Sequence, residues 1–347
     1  SSIMQLRNTA NNAHVNLFTL AGGPAFAVNG SINGVNVGKG ANSVLGNTCL
    51  GEGALDASVS GGNNTAIGKN ALTALTSGVN IVAVGSGALD AVTTSNNHVA
   101  VGFNSLSANT SGEKNTGVGS STLAFNTSGE KNVAVGYVAL EINETGSRNT
   151  AVGESALDAN TTASQNTAIG CRSLSSNTTG ALNVAVGDEA LFSNTTASNN
   201  TAVGNDALYA NETGDENTAV GAYALDACTS GRENTAIGLG AAGAIQTGDG
   251  NCAMGHDALK VATSADNNVA VGINAGFAIS SGDNNICLGH NSGRSVSPSG
   301  DITTADNQIC LGNNSITNLF CKVSTIQTSD IRDKTDINDF THGLSWV

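Results

Sequence analysis

A glycine recurs at every seventeenth position through the centre of this 347-residue chain. A typical stretch runs from Asn149 to Gly170 and contains the pentapeptides NTAVG and NTAIG. Self-similarity at a fixed short period is the sequence signature of a solenoid, in which each unit buries its apolar surface against its neighbours. The repeated glycines are Gly51, Gly68, Gly85, Gly102, Gly119, Gly136, Gly153, Gly170, Gly187, Gly204, Gly221, Gly238, Gly255, Gly272 and Gly289. The period therefore determines the architecture of most of the chain.

The three residues before each glycine predict a short β-strand. In one coil they are Thr150, Ala151 and Val152. Across the coils, the first of these three columns is mostly Thr or Val, the second contains very small residues, and the third is always apolar. Such alternation is typical of a strand whose two faces differ. We expect the β-branched face to fill the inside of the coil and the small face to form a close interface between chains. In the alternative, a narrow coil has no room for larger side chains at the small column.

Two further columns predict the core and the turns. Leu stands four residues after most glycines, as Leu157 does, and predicts a continuous core that is only one leucine wide. A thin core normally needs a partner chain. Asn stands four residues before the glycine in 13 of 15 coils, with Ile81 and His98 as exceptions, and a second Asn column runs from Asn109 to Asn211. Stacked Asn side chains form ladders. We therefore predict an all-β fold, a parallel β-solenoid of 17-residue coils in an intertwined or side-by-side homotrimeric shaft.

Breaks in the period divide the chain. The next glycine of the repeat after Gly289 is Gly312, six positions beyond the place that the period requires, and the extra residues include Pro298. We predict a β-rich N-terminal lead-in or cap over 1–46, a solenoid over 47–312 with a loop insertion near 295–304, an exit segment over 313–328 and a charged segment over 329–347.

Composition excludes several classes of function. The formal net charge is −14, and only 12% of the residues are charged and 3% aromatic. Nucleic acid is not an expected partner because no stripe of Lys and Arg is present. No run of 18 apolar residues predicts a membrane span. The seven cysteines include no CxxC spacing and are expected to be buried thiols made in a reducing compartment. We predict no metal and no cofactor.

Two motifs carry a resemblance to a known family. The repeat, preceded by INGVNVGKG at 32–40, resembles that of tail-fibre proteins of marine and cyanobacterial tailed phages. The segment SDIRDKTDI at 329–337 is similar to the opening of the intramolecular chaperone domain that ends many phage tail spikes. The resemblance implies a homotrimer whose chaperone domain nucleates folding of the shaft and then cuts itself off.

The same resemblance assigns candidate catalytic residues. It places the cut before Asp330, with Ser329 as the nucleophile and Lys334 as its base. A desolvated lysine can accept a hydroxyl proton, so the pair is chemically reasonable. In the alternative, Ser329 and Asp330 cap a helix that begins near Ile331.

We therefore expect a structural protein rather than an enzyme, apart from a single-turnover self-cleavage. The expected role is the trimeric shaft of a virion tail fibre, made in the host cytoplasm. Its expected partners are two copies of itself, other tail proteins and a host receptor, with a glycan as the expected class, bound through parts other than the shaft. The alternatives are the head of a bacterial trimeric surface adhesin and, third, an ice-binding β-solenoid suggested by the Thr column.

Overall fold

A computed structural model describes residues 34–318 and the backbone of three earlier strands, β1 (Ile3–Arg7), β2 (His14–Thr19) and β3 (Gly30–Ile32). Strands β1 and β2 pair antiparallel in a sheet of their own. Strand β3 pairs antiparallel with β4 (Val35–Gly38), which pairs antiparallel with β5 (Thr48–Gly51). Strands β3 and β4 thus form a β-hairpin that pairs with β5 at the edge of the first coil.

From β5 onward the chain forms one long parallel ladder. Each strand pairs with the equivalent strand of the next coil, so that Thr150 lies opposite Thr167 and Ala151 opposite Ala168. The strands after β5 are β6 (Thr65–Ile67), β7 (Val82–Val84), β8 (Val99–Val101), β9 (Thr116–Val118), β10 (Val133–Val135), β11 (Thr150–Val152), β12 (Thr167–Ile169), β13 (Val184–Val186), β14 (Thr201–Val203), β15 (Thr218–Val220), β16 (Thr235–Ile237), β17 (Cys252–Met254), β18 (Val269–Val271), β19 (Ile286–Leu288) and β20 (Ile309–Leu311). The prediction of an all-β solenoid with 17-residue coils is confirmed.

Hydrogen bonds between coils continue outside the strands. The backbone N–H of Leu157 donates to the carbonyl of Ser173 at 3.0 Å, and that of Thr161 donates to the carbonyl of Thr178 at 3.2 Å. The turn segments of neighbouring coils are therefore joined as the strands are. Because most coils repeat these bonds, the coils stack as one continuous rod.

The interior contains the small column and not the β-branched columns. Ala151 and Ala168 are fully buried, whereas Val133 and Val135, the residues on either side of the buried Ala134, are 38% and 36% exposed. Our expectation that the β-branched face fills the coil was wrong. The alternative explanation, that the coil has no room for larger side chains at this column, agrees with the structure.

The limited room inside the coil is clearest at Gly117. This residue replaces Ala in the small column, and a Cβ there would lie 2.6 Å from Ser105 Oγ and 2.8 Å from Thr122 Oγ1. Both hydroxyls occupy a column that is Ala in most coils, and they bond each other at 2.8 Å. At this one place, where two neighbouring coils both carry a hydroxyl, the small column lacks its methyl group; a single hydroxyl, at Ser173, stands beside Ala168 and Ala185. The buried Leu of most coils, such as Leu123, fills the remaining space.

The first Asn column forms a ladder to the backbone. Asn149 Oδ1 accepts from the N–H of Asn166 at 2.9 Å, and Asn149 Nδ2 donates to the carbonyl of Ala163 at 2.8 Å. The side chain is fully buried. One amide thus satisfies a donor and an acceptor of the next coil, which a buried backbone requires.

The second Asn column bonds side chain to side chain. Asn143 Nδ2 donates to Asn126 Oδ1 at 2.7 Å, and Asn160 Nδ2 continues the series to Asn143 Oδ1 at the same distance. The ladder ends at Asn211, whose buried Oδ1 has no hydrogen-bond partner because the next coil offers Cys228. Buried apolar residues continue this column at both ends, namely Leu75 and Val92 on one side and Ile245, Ala262 and Ile279 on the other.

The last interval accommodates extra residues in a loop. Strands β19 and β20 remain in register, with Ile286 opposite Ile309, although the chain between them is longer than one ordinary coil. The loop closes where the N–H of Ile302 donates to the carbonyl of Gly293 at 3.0 Å. Ser295 N–H donates to Asp301 Oδ1 at 2.7 Å inside it. The insertion therefore leaves the ladder intact.

Candidate functional surfaces

The repeated glycines hold the coils at their spacing. All fifteen have positive φ, from 108° at Gly289 to 155° at Gly51. A Cβ built on Gly153 would lie 2.6 Å from the carbonyl carbon of Gly170 and 3.1 Å from the N of Cys171. The contact is with rigid backbone, so no side-chain movement can relieve it. These residues are structural, as the period predicts.

The outward face of the ladder is a long apolar surface. The column directly before each glycine points outward, and much of it is well exposed. Its well-exposed members are Leu50, Ile67, Val118, Val135, Ile169, Val220, Ile237, Met254, Val271, Leu288 and Leu311. The neighbouring outward column is mostly Thr or Val. We call these two columns the sheet face.

A second surface gathers aromatic and acidic side chains on three consecutive coils. Glu189, Asp206, Tyr209, Tyr223 and Asp226 line a small pocket. Asp206 and Tyr223 stand two residues after their glycines, and Tyr209 and Asp226 stand five residues after theirs. We call this set the tyrosine pocket. It was missed at the level of the sequence because the few aromatics are scattered along the chain; aligning the coils places them in two adjacent columns.

The tyrosine pocket includes one ring of an aromatic pair and carries partly desolvated acids. The Phe192 and Tyr209 rings stack with centroids 5.2 Å apart and 5° between their planes. Loss of solvation raises the pKa of Asp206, with a further contribution from Asp188. Loss of solvation also raises the pKa of Asp226, while Lys260 lowers it. Both shifts result mainly from desolvation of the carboxylates, which Lys260 partly offsets at Asp226.

His98 shows how a different side chain fits the Asn ladder. It is 1% exposed, its Nδ1 accepts from the N–H of Asn115 at 3.3 Å, and its Nε2 lies 3.1 Å from Ser95 Oγ. The ring thus takes the acceptor role that Asn Oδ1 has in other coils, which requires the neutral form. Burial lowers the pKa of His98 to about 4.

The buried neutral His98 predicts an acid-sensitive coil. Because its pKa falls from about 6.5 in the unfolded chain to about 4 when folded, its contribution is present above pH 6.5 and is lost as the pH falls toward 4. Across that window we expect a loss of about 3 kcal/mol in the free energy of unfolding. Denaturant titrations at pH 7 and pH 4 should show this loss in the wild type and a smaller one in His98→Asn. Equal losses in both proteins would contradict the assignment.

The candidate catalytic residues Ser329 and Lys334 lie outside the described residues, as does the whole segment 329–347. Self-cleavage therefore stays a prediction. Within the described part of the chain, no group of three or more His, Cys, Asp or Glu could hold a metal ion. In the same residues there is no helix of the length and apolarity needed to cross a bilayer.

Comparison with known proteins gives no assignment for this chain. No protein family, no curated protein and no solved structure was found to match it. The class of protein that the fold defines is a repetitive β-solenoid, an architecture typical of structural proteins.

Proposed function

We propose that this chain forms the homotrimeric shaft of a phage tail fibre, a structural component of the virion that supports host attachment. The observation that carries this proposal is the sheet face, whose column directly before the glycine is apolar in every strand from β5 to β20. The resemblance of the repeat and of 329–337 to tail-fibre proteins supports the phage assignment. Other tail proteins and a host receptor, with a glycan as the expected class, are the further partners.

The size of the sheet face suits association between chains. With strands about 4.8 Å apart and three residues of about 3.3 Å across, it measures roughly 70 Å by 10 Å, or about 700 Å². A standard stable interface buries about 800 Å² on each partner. Two other copies of this chain are the fitting occupants, because an identical row has the same repeat distance along its whole length. We therefore assign the trimer interface to the sheet face and not to the small column, where we expected it from the sequence.

Substitutions that place charged residues on the sheet face test the proposed trimer. Ile169→Lys combined with Ile237→Lys places ammonium groups at positions whose side chains are 41% and 40% exposed. We expect the wild type to show three times the subunit mass in light scattering and the double variant to be a folded monomer. Each coil would tolerate the lysines because they replace exposed side chains, whereas an interface between identical chains would bury them beside one another.

The control is Leu182→Lys, because Leu182 is 50% exposed in a turn column that carries Lys at Lys114 and Lys131. This variant should remain a trimer with unchanged circular dichroism. A monomeric wild type across the measured concentrations, or a trimeric double variant, would contradict the proposed assembly.

The outward Thr column supports a second candidate, an ice-binding surface. Thr201, Thr218 and Thr235 stand in register on three consecutive strands of a parallel sheet, at about 4.8 Å per step. Val184 and Val133 interrupt the column elsewhere. Ice binding requires an uncovered face, so a trimer that covers the sheet face and a lack of thermal hysteresis would together exclude this candidate.

A further inference from the structure

We propose that the tyrosine pocket binds an organic cation, an alkylammonium or trimethylammonium group held between the rings of Tyr209 and Tyr223 and the carboxylates of Asp206 and Asp226. The pocket belongs to the turn columns that follow the glycine, and the sheet face belongs to the strand columns that precede it. The inference therefore does not depend on the trimer.

The chain already places its own cation at one end of this surface. The Arg172 guanidinium lies 5.9 Å from the centroid of the Phe192 ring and forms an ion pair with Glu189. Arg172 and Glu189 stand in the same column as Asp206, on the two preceding coils. An aromatic face beside a carboxylate thus binds a cation at this end of the surface.

A second cation occupies the other end. Lys260 Nζ lies 3.3 Å from Asp257 Oδ1. It fills the space above Gly240, where a Cβ would lie 2.5 Å from Nζ, and it lies 3.4 Å from the corresponding point on Gly243. These glycines stand in the two pocket columns of the intervening coil, and Asp226 Oδ1 lies 3.0 Å from the same point on Gly243, so Lys260 covers this side of Asp226.

The middle of the surface has the same chemistry without a cation in ion-pair contact. Among the residues that the structure describes, no Lys, Arg or His lies within ion-pair distance of Asp206 or Asp226. Tyr223 is 45% exposed, so its ring is accessible. Cations bind to the negative faces of aromatic rings, and a neighbouring carboxylate adds to the attraction. A bound ammonium group would compensate the two carboxylates whose pKa values are raised.

Charge distinguishes this ligand class from the others. Glu189 and Asp257 are paired, which leaves Asp188, Asp206 and Asp226 as the negative groups around the pocket. An anionic ligand such as a uronate would be repelled. A neutral sugar could stack on Tyr223 and donate hydroxyl hydrogen bonds to the carboxylates, but it would bring them no positive charge.

The test is calorimetric titration of the full chain with choline chloride at low ionic strength. Its matched control ligand is 3,3-dimethyl-1-butanol, the neutral carbon isostere of choline. We expect saturable binding of choline that weakens when salt is raised to about 150 mM, and at least about tenfold weaker binding of the isostere. Glucosamine and glucose form a second pair, in which binding of glucosamine alone would identify an amino sugar as a source of the ammonium group.

Variants locate the site. Tyr223→Ala and Asp226→Asn should each weaken choline binding by about tenfold or more. Tyr137→Ala and Asp158→Asn are the controls: Tyr137 is 59% exposed, and Asp158 stands in the column of Asp226, four coils earlier. Circular dichroism checks that all four variants fold.

Four outcomes would overturn the proposal. Equal binding of choline and its isostere would show that charge is not recognised. Binding of glucose as strong as that of choline would make this a saccharide site. A loss of binding in Asp158→Asn equal to that in Asp226→Asn would show attraction by the net charge of the rod, and absence of choline binding would refute the site directly.

Discussion

Gly153→Ala should unfold the middle of the solenoid, and we expect it to cost at least about 4 kcal/mol of stability. Gly153 has a φ of 141°, and its added methyl carbon would lie 2.6 Å from the carbonyl carbon of Gly170. The methyl group therefore separates two strands of the ladder, and the conformation is itself strained for an L-residue. Chemical denaturation monitored by circular dichroism measures the loss of stability. Limited proteolysis locates the unfolded coils, because each coil is stabilised only by its neighbours.

Gly300→Ala is the matched control for Gly153→Ala. Gly300 also has a positive φ, 66°, but a Cβ on it would meet nothing within 4 Å. It lies in the loop between β19 and β20, so only the conformational strain of about 1 kcal/mol remains. If the two variants lost equal stability, close approach of the coils would not be the reason for the glycine period.

The period determined the fold because it fixes which residues are neighbours. A repeat of constant length places Thr150, Thr167 and Val184 in one column whatever the shape of the coil, and parallel pairing follows. The period also predicted the Asn ladders, because an Asn at the same position of each coil is stacked on another Asn. The particular partners, such as the backbone acceptor Ala163 of Asn149, depend on the coil cross-section and could not be derived.

The direction of the strand faces could not be predicted from the columns. A strand that alternates Thr, Ala and Val has the same pattern whether Ala or Val points inward, and exchanging the two faces moves every side chain to the other side of the sheet. The hydrophobic side chains favoured the wrong choice. The size of the coil decides it, and Gly117, which has no room for a Cβ beside Ser105 and Thr122, shows that size most directly.

The tyrosine pocket was predictable in part. Asp206 and Tyr223 are one period apart, as are Tyr209 and Asp226, which already places each pair on neighbouring coils. The proximity of the two columns across the turn was not predictable. It results from a backbone with left-handed residues at Asp206 and Leu208, whose φ values are 55° and 53°.

The orientation of the strand faces makes Ala168→Glu the other severe substitution. Ala168 is fully buried in the narrow interior of the coil. A carboxylate there would be removed from water without a cation partner, and the coil would also have to widen. We expect a loss of at least about 5 kcal/mol, measured by denaturation and by protease sensitivity near β12.

Ile169→Glu, the substitution at the next residue, should have the opposite consequence. Ile169 lies on the sheet face and is 41% exposed, so the carboxylate stays in water and the stability of an isolated coil should change by less than about 1 kcal/mol. The substitution should instead weaken the association of chains, because a charge is unfavourable in an apolar interface. Had the small column formed the interface, Ala168→Glu would give folded monomers and Ile169→Glu would unfold the chain. Two adjacent substitutions, each tested for folding and for native mass, therefore decide which face of the strand joins the chains.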